Sequence, residues 1–111
     1  MKRHTILIIT PDPHLKAQLK AAVGRHDTVV FDNFREAGVS FRKSRITKVI
    51  CQEIIDGENA FDWAMEKVKE HDIPFIMISQ DPQDSSAQQN AKIKIIQQGV
   101  GYLQTIHSLI N

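Results

Sequence analysis

The chain has 111 residues, 41% of them hydrophobic and 24% charged, with a formal net charge of +1; this suits one domain over residues 1–111 with one core. Charge so close to balance gives no reason to expect a nucleic-acid or membrane partner, and no apolar stretch is long enough to span a bilayer. The single cysteine, Cys51, cannot form an internal disulfide. It lies inside an expected core strand, where it should be inert, and it fits a reducing cytoplasm.

Lys2, Arg3 and His4 precede an apolar run, but Ile6 to Ile9 is too short for the apolar region of a signal peptide. Thr5 to Ile9, TILII, reads as a strand buried on both faces. Asp12 is placed to cap a helix with Pro13 at its first position. Leu15, Leu19, Ala22 and Val23 share one face of that helix, and Gly24 ends it. Thr28 to Phe31 is a second strand. Phe34, Ala37 and Phe41 mark a second amphipathic helix, weakened by Gly38 and Val39. Its far end is basic (Arg42, Lys43, Arg45) and reads as a solvated face. Val49-Ile50-Cys51 is a third, central strand that ends at Gln52-Glu53. Asp56-Gly57 then makes a turn, and Asn59 caps a helix beginning near Ala60, with Phe61, Met65 and Val68 along its stripe and Trp63 beside it.

Pro74 to Ile78, PFIMI, is the fourth strand and ends at Ser79. The polar segment from Gln80 to Asn90 follows. Ser86 and Gln89 have capping-box spacing, so a fourth helix is expected from there, with Ile93, Ile96 and Ile95 on its apolar face and Gly99 as its stop. Val100 to Leu103 is then expected as the fifth strand, leaving Ile106 to Ile110 for little more than one closing turn. Strands alternating with helices at this spacing give an α/β fold. With right-handed crossovers and five strands, it is a flavodoxin-like, doubly wound, three-layer parallel sheet in the order 2-1-3-4-5 with a shortened last helix.

Four segments together resemble the receiver domain of bacterial two-component response regulators. ILIITPDPHLKAQL resembles the family's first strand and helix. KVICQEIIDGENAF resembles its third strand and the loop after the phosphoacceptor aspartate. IPFIMIS resembles a fourth strand ending in Ser or Thr, and GVGYL resembles the approach to its lysine. The family's chemistry needs a carboxylate nucleophile, Mg²⁺ held by acidic oxygens and a lysine on the transferred group. Carried over residue by residue, the paired acids fall on Thr10 and Pro11, the acceptor on Gln52, and the lysine on Thr105 or Gln104. Only the hydroxyl, Ser79, and the aromatic of the fifth strand, Tyr102, match. Ser79 and Tyr102 are the candidate switch residues; each has an ordinary alternative, in backbone satisfaction and in packing.

Asp12 and Glu53 stand next to lost acidic positions. Asp12 is better used as a helix cap, and Glu53 should aim away from Gln52, since adjacent strand residues point to opposite faces. The histidines (His4, His14, His26, His71, His107) show no ligand spacing. No glycine loop for flavin or nucleotide phosphates and no nucleophile–base set is visible. The resemblance with these departures implies a degenerate, or pseudo-, receiver: not an enzyme, without metal or cofactor, binding a protein partner or a second domain in phosphorelay-type signalling. The alternative is a working receiver phosphorylated from a histidine kinase with Mg²⁺. The short apolar end implies either a longer protein continuing past Asn111 or a homodimer. In the latter, the fourth helix, the fifth strand and the terminal residues Ile106 and Ile110 would form the interface.

Overall fold

Ile6 to Ile9 are fully buried, as an apolar run is when a parallel sheet lies between two helical layers. The computed structural model describes residues 5–24, 26–43, 45–80, 92–99 and 101–110. In chain order its elements are β1 (Thr5–Ile9), α1 (Pro13–Val23), β2 (Asp27–Phe31), α2 (Phe34–Lys43), β3 (Lys48–Gln52), β4 (Ile54–Ile55), β5 (Glu58–Asn59), α3 (Phe61–His71), β6 (Phe75–Ser79), β7 (Ile93–Gln97) and α4 (Tyr102–Ile110). The main sheet runs β2-β1-β3-β6-β7, and every pairing in it is parallel. With β6 and β7 as its fourth and fifth strands, this is the expected 2-1-3-4-5 order of a flavodoxin-like fold.

Alternation along the strands divides the core in two. Ile6, Ile8, Ile50, Ile76 and Ile78 face one way, onto Leu15, Leu19 and Val23 of α1 and Ile106 and Ile110 of α4. Leu7, Ile9, Val49, Cys51, Phe75 and Met77 face the other way, onto Phe34 and Ala37 of α2 and Phe61 and Ala64 of α3. Local signals set the helix starts. Asp12 accepts hydrogen bonds from the backbone of His14 and Leu15 ahead of Pro13, and Asn59 accepts one from Phe61 N at 2.8 Å. The turn at Asp56-Gly57 closes a small antiparallel hairpin of β4 and β5, which was not foreseen. Both residues have positive φ, 52° and 80°, the geometry that two-residue hairpins favour and for which Gly is well suited.

The last third of the chain departs from expectation. Ile93, Ile95 and Ile96 belong to strand β7, paired with β6 from Phe75↔Ile93 to Ser79↔Gln97, and not to a helix. Their i, i+3 spacing fits a helical face, but β-branched side chains are restricted at χ1 and pack well on a sheet. The expected helix start at Ser86 and Gln89 lies outside the described residues, as does Val100. The segment assigned to a fifth strand instead leads into α4, which begins at Tyr102 and has nine residues against eleven in α1 and α3. It is thus shorter than its neighbours but longer than the little more than one turn expected. Lys48 at the foot of β3 donates to the carbonyls of Leu109 and Ile110 at 2.9 Å each. An ammonium there satisfies the last carbonyls and opposes the negative end of the helix dipole. Ile106 and Ile110 are 0% and 2% exposed, so they are core residues of this chain and cannot present the interface expected of them.

Candidate functional site

Parallel α/β sheets gather their functional side chains outside the carboxyl ends of the strands. Four such ends lie side by side here: Thr10 after β1, Gln52 and Glu53 at and after β3, Ser79 closing β6, and Gln97 closing β7. Thr10 is fully buried, and its hydroxyl donates to Gln52 Oε1 at 2.5 Å while accepting from Asp12 N at 3.2 Å. Its backbone N–H bonds Phe31 O, joining β2 to the same edge. The β1–β3 junction is therefore closed by a neutral hydroxyl–amide pair. Pro11 is exposed and brings no side-chain donor or acceptor, and the Asp12 carboxylate is engaged in capping α1.

Glu53 occupies a different place from Gln52, as alternation requires. Gln52 is in register with Ile78, so the next residue falls beside Ser79, whose hydroxyl donates to Glu53 Oε1 at 3.1 Å. Both are buried, Glu53 at 3% and Ser79 at 1% exposure. The Glu53 backbone is held as well, its N–H by Ile78 O at 2.9 Å and its carbonyl by Ala60 N at 2.6 Å. A buried carboxylate must be hydrogen-bonded to persist, and Glu53 satisfies that condition by clamping the loop before α3 to the end of β6. The Glu53–Ser79 pair was missed at the level of sequence; the alternation rule already separated Glu53 from Gln52, but only the β3–β6 register shows which neighbour it meets.

Thr105 and Gln104 are not at a strand end. They lie exposed on α4, with the Thr105 hydroxyl bonded to Gly101 O. The residue across the ladder from Ser79 is Gln97, and Gln98 N–H bonds Ser79 O at 2.8 Å. The carboxyl end of the fifth strand thus carries two amides where the resemblance calls for a lysine. Tyr102 likewise opens α4 and is not on the fifth strand. Its hydroxyl donates to Gln18 Oε1 of α1 at 2.7 Å, and burial pushes its phenol above the ordinary value, which keeps it a neutral donor.

The donors gathered at the edge do not fit a divalent ion. A hydroxyl and an amide oxygen engaged with each other, plus one carboxylate bonded to a serine, lack the acidic oxygen set that Mg²⁺ prefers. Among the described residues no group of three or more His, Cys, Asp or Glu could hold a metal, and no helix is long and apolar enough to cross a membrane. Cys51, one residue inside the site, is buried, and desolvation pushes its thiol up to about 12 from 9.0. The unfolded chain therefore releases a proton between about pH 9 and 12 that the folded chain keeps, and stability present below pH 9 falls through that window. Cys51 is expected to resist a disulfide reagent at pH 8 until denaturant is added, and Cys51→Ala to lose part of the alkaline slope of a chemical-denaturation series. Labelling of the native protein at the denatured rate would contradict this burial.

With this geometry in hand, solved structures supply the comparison. The chain matches a response regulator receiver protein from Sinorhizobium medicae with TM-score 0.77 and 10% identity, over 99% of this chain and 98% of that one. It matches the REC domain of the PhyR response regulator from Erythrobacter litoralis with TM-score 0.80 and 20% identity, over 99% and 88%. It also matches the anti-anti-sigma factor PhyR from Bartonella quintana with TM-score 0.80 and 15% identity, over 98% of this chain and 47% of that one, so it spans about half the length of that protein. No protein-family model matches the sequence, and no curated protein does. At these identities the likeness is one of fold: the chain has the receiver fold of response regulators.

Proposed function

We propose that this chain is a pseudo-receiver, a receiver-fold domain that does not take a phosphoryl group and acts in signal transduction by binding another protein or a second domain. It works in this reading by contact and not as an enzyme, in a reducing cytoplasm, without metal, cofactor, nucleic acid or membrane. The observation that supports it most is the Thr10–Gln52 hydrogen bond. It occupies the β1–β3 junction with neutral groups, where phosphoryl transfer to a carboxylate needs ionised oxygens and a cation. The amides Gln97 and Gln98 beside Ser79 point the same way.

A second reading, a receiver that still accepts phosphate with Mg²⁺, draws on Glu53, a carboxylate bonded to Ser79. The two separate in one experiment: incubate the protein with Mg²⁺ and a small phosphodonor such as acetyl phosphate, then measure its intact mass. No phosphoryl mass gain is expected, and no change in Trp63 fluorescence with Mg²⁺. An acid-labile adduct mapped to Glu53 would reverse the proposal in favour of the second reading.

A further inference from the structure

On the opposite side of the sheet from α1 and α4, helices α2 and α3 enclose a groove of about 350 Å³. Its floor is aromatic. Trp63 lies with its ring centroid 5.3 Å from Phe34 and 6.1 Å from Phe41, and Phe41 stacks on His71 at 4.8 Å. Lys67 sits 6.0 Å from the centroids of both Phe41 and Trp63 and is paired with Glu70. The rim is basic. Arg35, Val39 and Arg42 follow one another at i, i+4 and i+7, which puts them on one face of α2, and Val39 is 48% exposed. Among the described residues neither Arg35 nor Arg42 is in an ion pair, and Lys43 and Arg45 continue the positive charge beyond them.

Gly38 is the second observation. It lies mid-helix in α2 and lines the groove. A Cβ built there would meet nothing within 4 Å. Glycine in a helix interior costs about 1 kcal/mol relative to alanine, and no neighbour among the described residues requires that cost. Its structural effect is to leave the groove open over its own Cα, in a lining that also includes Val39 and Trp63.

We propose that this groove docks an acidic peptide segment of a partner protein. One apolar side chain of the segment rests over Gly38 against Val39 and Trp63, and its carboxylates pair with Arg35 and Arg42. Carboxylates suit the two free guanidinium groups, which bind them bidentately. An apolar anchor in a pocket with a polar rim is how such interfaces gain most of their energy. A nucleic acid fits less well. Two free arginines make a short track for a phosphate backbone, and a net charge of +1 gives little long-range attraction for a polyanion. The groove is also independent of the strand-end chemistry, because a domain that took phosphate would carry it unchanged.

The test uses the whole chain. A random-peptide display library is selected against it, and the enriched peptides are synthesised and titrated while the emission of Trp63, the sole tryptophan, is followed. The enriched peptides should carry several Asp or Glu residues around a Leu, Phe or Trp, and their addition should shift the Trp63 emission. Arg35→Glu with Arg42→Glu should weaken binding at least about tenfold, through lost pairs and new like-charge repulsion. Gly38→Leu should abolish binding while raising the melting temperature, since it fills the groove with a better helix former. An empty selection would overturn the proposal, as would enrichment of peptides without acidic residues or binding indifferent to both variants. Competition by a single-stranded oligonucleotide at equal affinity would also overturn it.

Discussion

Ile106→Asp is expected to leave the chain without a cooperative folding transition, whereas Gln104→Asp, two residues away on the same helix, should melt like the parent. Ile106 is fully buried and belongs to the cluster of β1, β3 and β6 side chains closed by Leu15 and Leu19 of α1. Losing its apolar contacts costs about 2 to 5 kcal/mol, judged from large-to-small core substitutions. Burying an unpaired carboxylate adds several more. The sum is comparable with the roughly 5 to 15 kcal/mol by which a whole domain is stable. Gln104 is exposed, and surface changes usually stay within about 0.5 kcal/mol. Circular dichroism melts of the two variants, with light scattering to follow association, decide the matter. A soluble, fully folded Ile106→Asp monomer would put this side chain on the surface and disprove the packing of α4 against α1.

How much of this molecule could be read beforehand depended on whether a segment carried one unambiguous physical signal. TILII, VIC and PFIMI are uninterrupted and short, and each became a central strand; α1 after the first and α3 after the second start at the foreseen caps, Asp12 and Asn59. KIKIIQ carried two signals, since Ile93 and Ile96 satisfy a helical face while Ile93 and Ile95 satisfy strand alternation, and the sheet decided for the strand. That choice displaced everything after it: Tyr102 and Thr105 moved onto α4, and the terminal isoleucines turned from interface into core. The Thr10–Gln52 adjacency follows from strand order alone and was legible. The Glu53–Ser79 bond depends on the exact β3–β6 register, and the α2–α3 groove depends on the separation of two helices. Neither quantity is written in local spacing. So the basic end of α2 reads as a solvated face until Trp63 and Gly38 are seen beside it.

Thr10→Asp, Pro11→Asp and Gln52→Asp together are expected to create a Mg²⁺ site that the parent lacks, and to make the domain's stability depend on it. The Thr10 hydroxyl and the Gln52 side-chain oxygen already stand 2.5 Å apart. Two ligand oxygens on adjacent corners of an octahedral Mg²⁺ lie about 3 Å apart, given bonds of about 2.1 Å, so carboxylates at these positions need little backbone movement to share an ion. Position 11 follows Thr10 in the bend that leads from β1 to α1, at the same end of the sheet as Gln52 and Glu53. The variant therefore lines one strand edge with four acids. Without metal the new charges oppose each other: a pair about 4 Å apart repels by about 4 kcal/mol at an effective dielectric of about 20. The parent, with its neutral hydroxyl–amide pair, is free of this repulsion. The metal-free variant should melt well below the parent. Millimolar Mg²⁺ should restore much of the difference by mass action on the folded state, while the parent's midpoint stays where it was. Isothermal calorimetry should show a binding heat for the folded variant alone. A folded triple variant with no such heat, and no Mg²⁺-dependent shift in melting, would mean that these three positions do not converge as the strand order and the Thr10–Gln52 contact place them.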